Sequence, residues 1–217
     1  MKLNAKKTVL VTGFSPFPGA PVNPTERLMK RLPKRLGVHQ FDVDFAFHVL
    51  PTTWVGRQEV TSRLRDTIQP DAIVHFGVDG TRRTINIETR ALNRAILVRL
   101  DSVGQSPGRP ELDPGGKRVR NATLSAGPLR DAALTGGAPT RLSTNAGTYL
   151  CNATLWDSVG SGIPSIFVHV PALPRGPRDT RPSYPVIEEA AVRLLQETAR
   201  RLRGRQDYFA FSRSHST

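Results

Sequence analysis

Residues 8–12, Thr-Val-Leu-Val-Thr, are apolar without polar alternation, the pattern of a strand covered on both faces. Residues 71–77 and 165–170 predict two more strands of the same kind. Residues 41–50 instead alternate Phe41, Val43, Phe45, Phe47 and Val49 with polar or small positions, which predicts a half-buried strand. Helical spacing fills the gaps between these runs. Asn23 before Pro24 marks a helix start, with Asn as the cap and Pro at the first helical position, and Leu28, Met29 and Leu32 form the apolar face. Residues 53–68 read as a helix with Val55, Val60, Leu64 and Ile68 near one face, residues 129–134 as a short helix, and residues 149–159 as another. The clearest helix covers residues 185–202, where Ile187, Ala190, Ala191, Leu194, Leu195 and Leu202 recur at helical spacing. Residues 84–100 read as mostly extended. Residues 101–117, rich in Pro and Gly, read as a long loop or flap of the kind that often carries function. Strands alternating with helices predict one α/β domain over residues 1–205 with a largely parallel sheet, followed by a frayed C-terminal tail at 206–217.

The 217 residues are 38% hydrophobic, enough for one sizeable core. A single cysteine excludes an intramolecular disulfide framework and agrees with a reducing compartment. The start, Met1 to Lys7, has no apolar signal-peptide core, and no stretch approaches the roughly 20 apolar residues of a membrane span. These features predict a cytoplasmic protein without a membrane partner.

The formal net charge of +13 raises the question of a polyanion partner. The arginines are scattered from Arg27 to Arg213, and the densest run, at 200–205, ends a helix where cations complement the dipole. Aromatic residues are 6% of the chain and do not interleave with the arginines as a base-stacking platform would. The charge therefore reads as a solvated basic surface, with nucleic acid not expected as a partner and a polyanion site kept as the alternative.

Candidate chemistry centres on the cysteine. Residues 143–152, Ser-Thr-Asn-Ala-Gly-Thr-Tyr-Leu-Cys-Asn, run from a small, glycine-containing turn into the helix at 149–159. With Thr148 as the N-cap, Cys151 occupies the third helical position, where free N–H groups and the positive dipole end favour a thiolate. His169 ends the strand at 165–170, where a side chain can face a site at the sheet edge. A lone thiol with a distant histidine fits a Cys/His hydrolase; a buried structural cysteine and a satisfied core histidine fit the same two residues. The five histidines and the cysteine show no metal-ligand spacing, so no metal or other cofactor is expected.

Five segments in order carry a resemblance across residues 8–203. They are Val11-Thr12-Gly13-Phe14-Ser15-Pro16-Phe17-Pro18-Gly19 with Asn23-Pro24, residues 77–83 with Glu88-Thr89-Arg90-Ala91-Leu92-Asn93, residues 143–152, residues 167–174, and Arg181-Pro182-Ser183. Together they resemble pyroglutamyl peptidase I, the pyrrolidone-carboxylate peptidases, cysteine peptidases that remove an N-terminal pyroglutamyl residue. The resemblance implies a three-layer α/β/α sandwich around a twisted, mostly parallel, mixed sheet. It implies Cys151 as nucleophile, His169 as general base and Glu88 as the acid that orients the imidazole. Phe14 and Phe17 match the phenylalanines that pack on the lactam ring, and Asn23 matches an asparagine near its polar edge. It also implies a peptide substrate with an N-terminal pyroglutamate and a homo-oligomer, commonly a tetramer.

The chain departs from the family pattern at three points. Val78 stands at the substrate-site position where members usually carry glutamine. In a gap-free register Asp101 and Gly104 still match, but Val98 falls where members carry an arginine that helps the oxyanion site. Arg99 follows one residue later, which on a strand turns it to the opposite face. The family is also not typically this basic. Two other readings stay open: a divergent amidase acting on another small or cyclic acyl group with the same three residues, and a weakly catalytic polyanion- or RNA-binding protein on the same fold.

Overall fold

A computed structural model describes residues 6–36, 39–40 and 42–214, with backbone alone at 39–40 and 205–214. Residues 1–5 of the chain start and Phe41 of the expected alternation lie outside the described residues. A seven-stranded sheet runs in the order β2 (His39–Gln40), β3 (Val43–Leu50), β1 (Lys7–Phe14), β4 (Ala72–Asp79), β9 (Ser165–Pro171), β5 (Ile85–Glu88), β8 (Thr140–Ser143). The pairs β3–β1, β1–β4, β4–β9 and β5–β8 are parallel, whereas β2–β3 and β5–β9 are antiparallel. A separate ribbon joins β6 (Arg90–Leu92) to β7 (Val119–Asn121). The helices are α1 (Pro24–Leu36), α2 (Trp54–Ile68), α3 (Ala126–Thr135), α4 (Leu150–Gly160) and α5 (Tyr184–Ser214). The backbone of α5 thus stays helical beyond Arg205, where the sequence pattern predicts fraying.

Strand alternation divides the core into two layers. Val9 and Val11 of β1, Val74 and Phe76 of β4, Ile85 and Ile87 of β5, and Ile166 and Val168 of β9 face α1, α3 and α5, where Leu28, Leu129 and Leu194 meet them. Leu10, Phe14, Ile73 and Phe167 face the other way, toward Trp54 and Leu64 of α2 and Leu150 and Trp156 of α4. The same parity puts Glu88 of β5 and His169 of β9 on the α4 side. Where β1 passes under α1, a Cβ on Gly13 would lie 2.5 Å from the Thr25 carbonyl oxygen, so only glycine permits this approach.

Three local expectations change. In α2, Val60, Leu64 and Ile68 pack against the core as expected, but Val55 is exposed and Trp54, Arg57 and Thr61 join the buried face. Arg57 is buried because its guanidinium meets Asp157 of α4 at 2.5 Å. Residues 101–117 form a loop, but it is pinned rather than a free flap. The buried Asp101 carboxylate accepts from the amides of Trp54, Val103 and Gln105, and Asn93 and Asp113 exchange two hydrogen bonds. Past β6, residues 93–100 are bends and irregular backbone rather than extended strand.

Candidate active site

The helix that carries the thiol starts one residue later than its sequence suggests. Tyr149, not Thr148, is the N-cap of α4, so Cys151 is the second helical residue. Tyr149 makes no side-chain cap hydrogen bond, and the first intrahelical amide bond is that of Ala153 to the Tyr149 carbonyl. The N–H groups of the first turn, including that of Cys151, are therefore available to an oxygen outside the helix. Thr148 serves differently: its carbonyl accepts from Ile96 N at 2.8 Å and holds the 93–100 segment over the turn. Gly147, with φ of 77°, supplies the left-handed residue that the turn needs.

Cys151 meets β4 and β9 from above the sheet. Gly77 pairs with His169 in the β4–β9 register. A Cβ on Gly77 would sit 2.5 Å from Phe167 Cζ and 3.0 Å from Cys151 Sγ. Glycine at this point is what lets the sulfur and the Phe167 ring approach the strand together.

Behind His169 lies Glu88. The antiparallel register opposes Asn86 to His169 and Glu88 to Phe167, so the carboxylate reaches the imidazole diagonally. His169 Nδ1 lies 2.9 Å from Glu88 Oε1. Glu88 is fully buried, and its Oε1 also receives Arg82 at 3.1 Å, while its Oε2 has no hydrogen-bond partner among the described residues. Burial alone would lower the His169 pKa. The charge of Cys151 and a side-chain hydrogen bond with it, followed by the hydrogen bond and charge of Glu88, outweigh that and raise the pKa to about 9. The pairing favours imidazolium between a sulfur on one side and a carboxylate on the other.

These groups open onto a cavity of about 660 Å³. Phe14, Phe17, Asn23, Val78, Cys151 and His169 all line it, while Glu88 stands behind the imidazole. Phe14 is only 3% exposed and packs against Phe167 with ring centroids 6.3 Å apart; it is as much an anchor of the wall as a contact surface. Phe17 is half-buried in a tight turn closed by two hydrogen bonds with Ala20. Asn23 caps α1, its Oδ1 accepting from Thr25 N at 3.0 Å, while its Nδ2 donates to the Ser15 carbonyl. It thereby fastens the phenylalanine loop to the helix.

Position 98–99 requires a correction. Val98 is 88% exposed and does not reach the cavity, whereas Arg99 lines it. The Arg99 guanidinium stands 4.2 Å from the Tyr149 ring centroid and 6.0 Å from that of Phe17. Strand parity does not govern these residues because the backbone bends through 97–99. Sequence patterning assigns nothing to Arg82. It donates to Asp79 at 2.9 Å and to the Asn145 carbonyl at 2.7 Å and forms an ion pair with Glu88 at 3.1 Å, tying β4, β5 and the turn before α4 together. An arginine six residues before a buried carboxylate, across a strand-turn-strand, is the signal that could have revealed it.

Comparison with known proteins gives one answer. The family model described as pyroglutamyl peptidase matches residues 7–201. A pyrrolidone-carboxylate peptidase of Pyrococcus furiosus is 35% identical over 173 residues, covering 76% of this chain and 81% of that protein. Among solved structures, a mutant pyrrolidone carboxyl peptidase from Pyrococcus furiosus superposes with a TM-score of 0.80 at 31% identity, covering 90% of this chain and 99% of that one. The pyroglutamyl peptidase I of Bacillus amyloliquefaciens gives a TM-score of 0.78 at 27% identity over 89% of this chain and 97% of its own.

Proposed function

The chain belongs to the pyroglutamyl peptidase family, and from this premise we propose that Cys151, His169 and Glu88 carry its chemistry. The protein is a cysteine-type peptidase that hydrolyses the amide bond after an N-terminal pyroglutamyl residue. The observation that supports the residue assignment is the line Glu88–His169–Cys151, with the Nδ1 to Oε1 distance of 2.9 Å and the thiol facing a cavity walled by Phe14 and Phe17.

The lactam ring lies in the apolar slot beside Phe14 and Phe17, with Asn23 near its polar edge. Sγ of Cys151 attacks the carbonyl carbon of the scissile amide. Negative charge then develops on the carbonyl oxygen, where the free amides at the start of α4 stabilise it, with Arg99 a cation of the cavity wall. Imidazolium His169 gives its proton to the departing amine as the C–N bond breaks, leaving a thioester and a neutral imidazole. Water, deprotonated by His169, attacks the thioester and releases pyroglutamate and the thiol. Glu88 holds the ring direction and tautomer throughout, and stabilises the cation. Each proton is carried by a side chain already in place.

The reading extends to a homo-oligomer, a tetramer by resemblance, working in the cytoplasm. A thiol nucleophile needs a compartment that keeps it reduced, and exposed Leu97, Val98, Leu100 and Val103 offer apolar surface for a second copy. Release of a fluorescent amine from a pyroglutamyl amide, with Cys151→Ala as the control, tests the assignment. Turnover in the wild type and none in the variant is expected. Equal turnover in both removes Cys151 from the chemistry.

A further inference from the structure

Beyond the thiol, a second basin of about 400 Å³ adjoins the catalytic cavity and shares Gly80, Thr81 and Arg175 with it. The turn after β4 gives it Arg82 and Arg83, and the segment after β9 gives it Arg175, Arg178 and Arg181. Against these five guanidinium groups its lining holds a single carboxylate, Asp179. That carboxylate is already engaged by Arg181, which holds its pKa well below the ordinary range. Arg82 is likewise committed to Asp79 and Glu88, and Arg83 donates to the Thr180 hydroxyl at 3.2 Å. Arg175 and Arg178 are exposed, and no carboxylate among the described residues pairs with either guanidinium. The basin thus gathers five guanidinium groups against one carboxylate in a concave place that adjoins the catalytic cavity, where their fields add as those of scattered surface charges do not.

The position of the basin says which part of a substrate meets it. Phe14 ends β1 and Phe17 follows it, on one side of β4; the arginines follow β4 and β9 and lie on the β9 and β5 side. The thiol stands over Gly77 of β4, between the two. A substrate with its ring on the phenylalanine side therefore directs its departing chain toward the arginines.

We propose that this basin is a subsite for carboxylates of the leaving peptide. It selects pyroglutamyl peptides that carry an acidic side chain or a free chain terminus within the first residues after the scissile bond. The inference rests on the proposed function, since it takes the acyl side from that reading. The groups are solvated, so the effect is modest, sensitive to salt, and expressed mainly in KM.

The test compares four substrates by release of pyroglutamate: pyroglutamyl-Ala-Ala amide, the same peptide with a free C-terminus, and pyroglutamyl-Glu-Ala and pyroglutamyl-Lys-Ala amides. At low ionic strength the two anionic peptides are expected to show kcat/KM about three- to tenfold above the neutral amide, a ratio that approaches one near 0.5 M salt. The difference between them separates side chain from chain terminus. Arg178→Gln is expected to shrink the ratio while neutral-amide turnover stays constant, and Arg178→Glu to shift preference toward the lysine peptide. Normal turnover of the neutral amide with no anionic preference at low salt overturns the inference and leaves the proposed function standing. An anionic preference unchanged in Arg178→Glu also overturns it. Failure to cleave any of the four overturns the proposed function and the inference with it.

Discussion

Arg82 and His169 converge on the same oxygen of Glu88, at 3.1 Å and 2.9 Å. A fully buried carboxylate is costly unless paired and hydrogen-bonded, and here one cation fixes it while the other is the group it must orient. Removing a partner separates these two effects. Glu88→Gln keeps the shape but cannot stabilise imidazolium, so kcat is expected to fall by about 10²-fold or more with little change in KM. Arg82→Gln is expected to destabilise the fold by about 3 kcal/mol, because the buried carboxylate loses a charged partner, and Arg82→Lys to recover part of that loss. Denaturant midpoints together with kcat and KM check both; an Arg82→Gln protein as stable as the wild type would show that Glu88 does not depend on it.

At positions 98 and 99 the prediction reverses the one that strand parity suggests. Val98 points into solvent and Arg99 into the cavity, so Val98→Arg is expected to leave turnover of a pyroglutamyl amide unchanged. Arg99→Gln is expected to lower kcat/KM about tenfold, the scale of removing one charge-assisted hydrogen bond of about 1.5 kcal/mol. Val78 lines the cavity where a glutamine would add an amide, and Val78→Gln is expected to raise the rate modestly. Steady-state kinetics of the three variants decide the point; a Val98→Arg gain with an inert Arg99→Gln would restore the gap-free reading.

What the sequence made legible follows from which forces leave a periodic trace. The buried strands β1, β4 and β9 and the helix α5 carry long apolar patterns, and the layer order follows from them. Cys151, His169 and Glu88 were reachable because neighbouring residues matched a family pattern, not because spacing alone marks them. The edge strand β8 leaves no apolar signature, because Thr140 to Ser143 bury a single residue and pair through the backbone. On α2, Val60, Leu64 and Ile68 pack on the core as the spacing predicts, and the departures are the exposed Val55 and the buried Arg57. Arg57 is buried through its ion pair with Asp157, and hydrophobic periodicity counts an arginine as surface. Arg82 leaves no trace in the pattern because its side-chain partners, Asp79, Glu88, Ser143 and Asn145, lie on separate segments that only the fold brings together.

Gly77 is a narrow point at which packing and chemistry coincide. A methyl group there would lie 2.5 Å from Phe167 Cζ and 3.0 Å from Cys151 Sγ, below normal contact distance. Phe167 is fully buried and cannot swing away freely. Gly77→Ala is therefore expected to cost about 1–3 kcal/mol of stability through overpacking and to displace the sulfur from His169, lowering kcat more than KM changes. The two readouts are a urea titration and the rate of Cys151 alkylation; unaltered alkylation kinetics would show that the sulfur does not depend on this contact.

Two buried histidines, His169 and His75, pull stability in opposite directions with pH. His169 has its pKa raised from 6.5 to about 9, with burial opposing the larger combined effect of Cys151 and Glu88. The folded state therefore holds this proton more tightly than the unfolded chain. That contribution is complete below pH 6.5 and is lost as pH rises through about 9. His75 has its pKa lowered to about 3 by burial first and then by Arg65 and Arg57, and it sits neutral between Thr12 and Ser158. The unfolded chain binds its proton more readily, so stability falls as pH drops from 6.5 toward 3. From these two groups the stability maximum is expected near pH 6.5, each limb approaching about 1.4 kcal/mol per pH unit. Activity shares the upper limb, because the imidazolium that protonates the leaving amine disappears near pH 9. Replacing the sulfur isolates the cause: in Cys151→Ser the largest of the influences that raise the His169 pKa is gone, and its NMR titration, assigned against His169→Asn, is expected to move to lower pH. An identical titration in the wild type and Cys151→Ser would show that Cys151 does not charge His169, and the thiol–imidazole pairing would have to be abandoned.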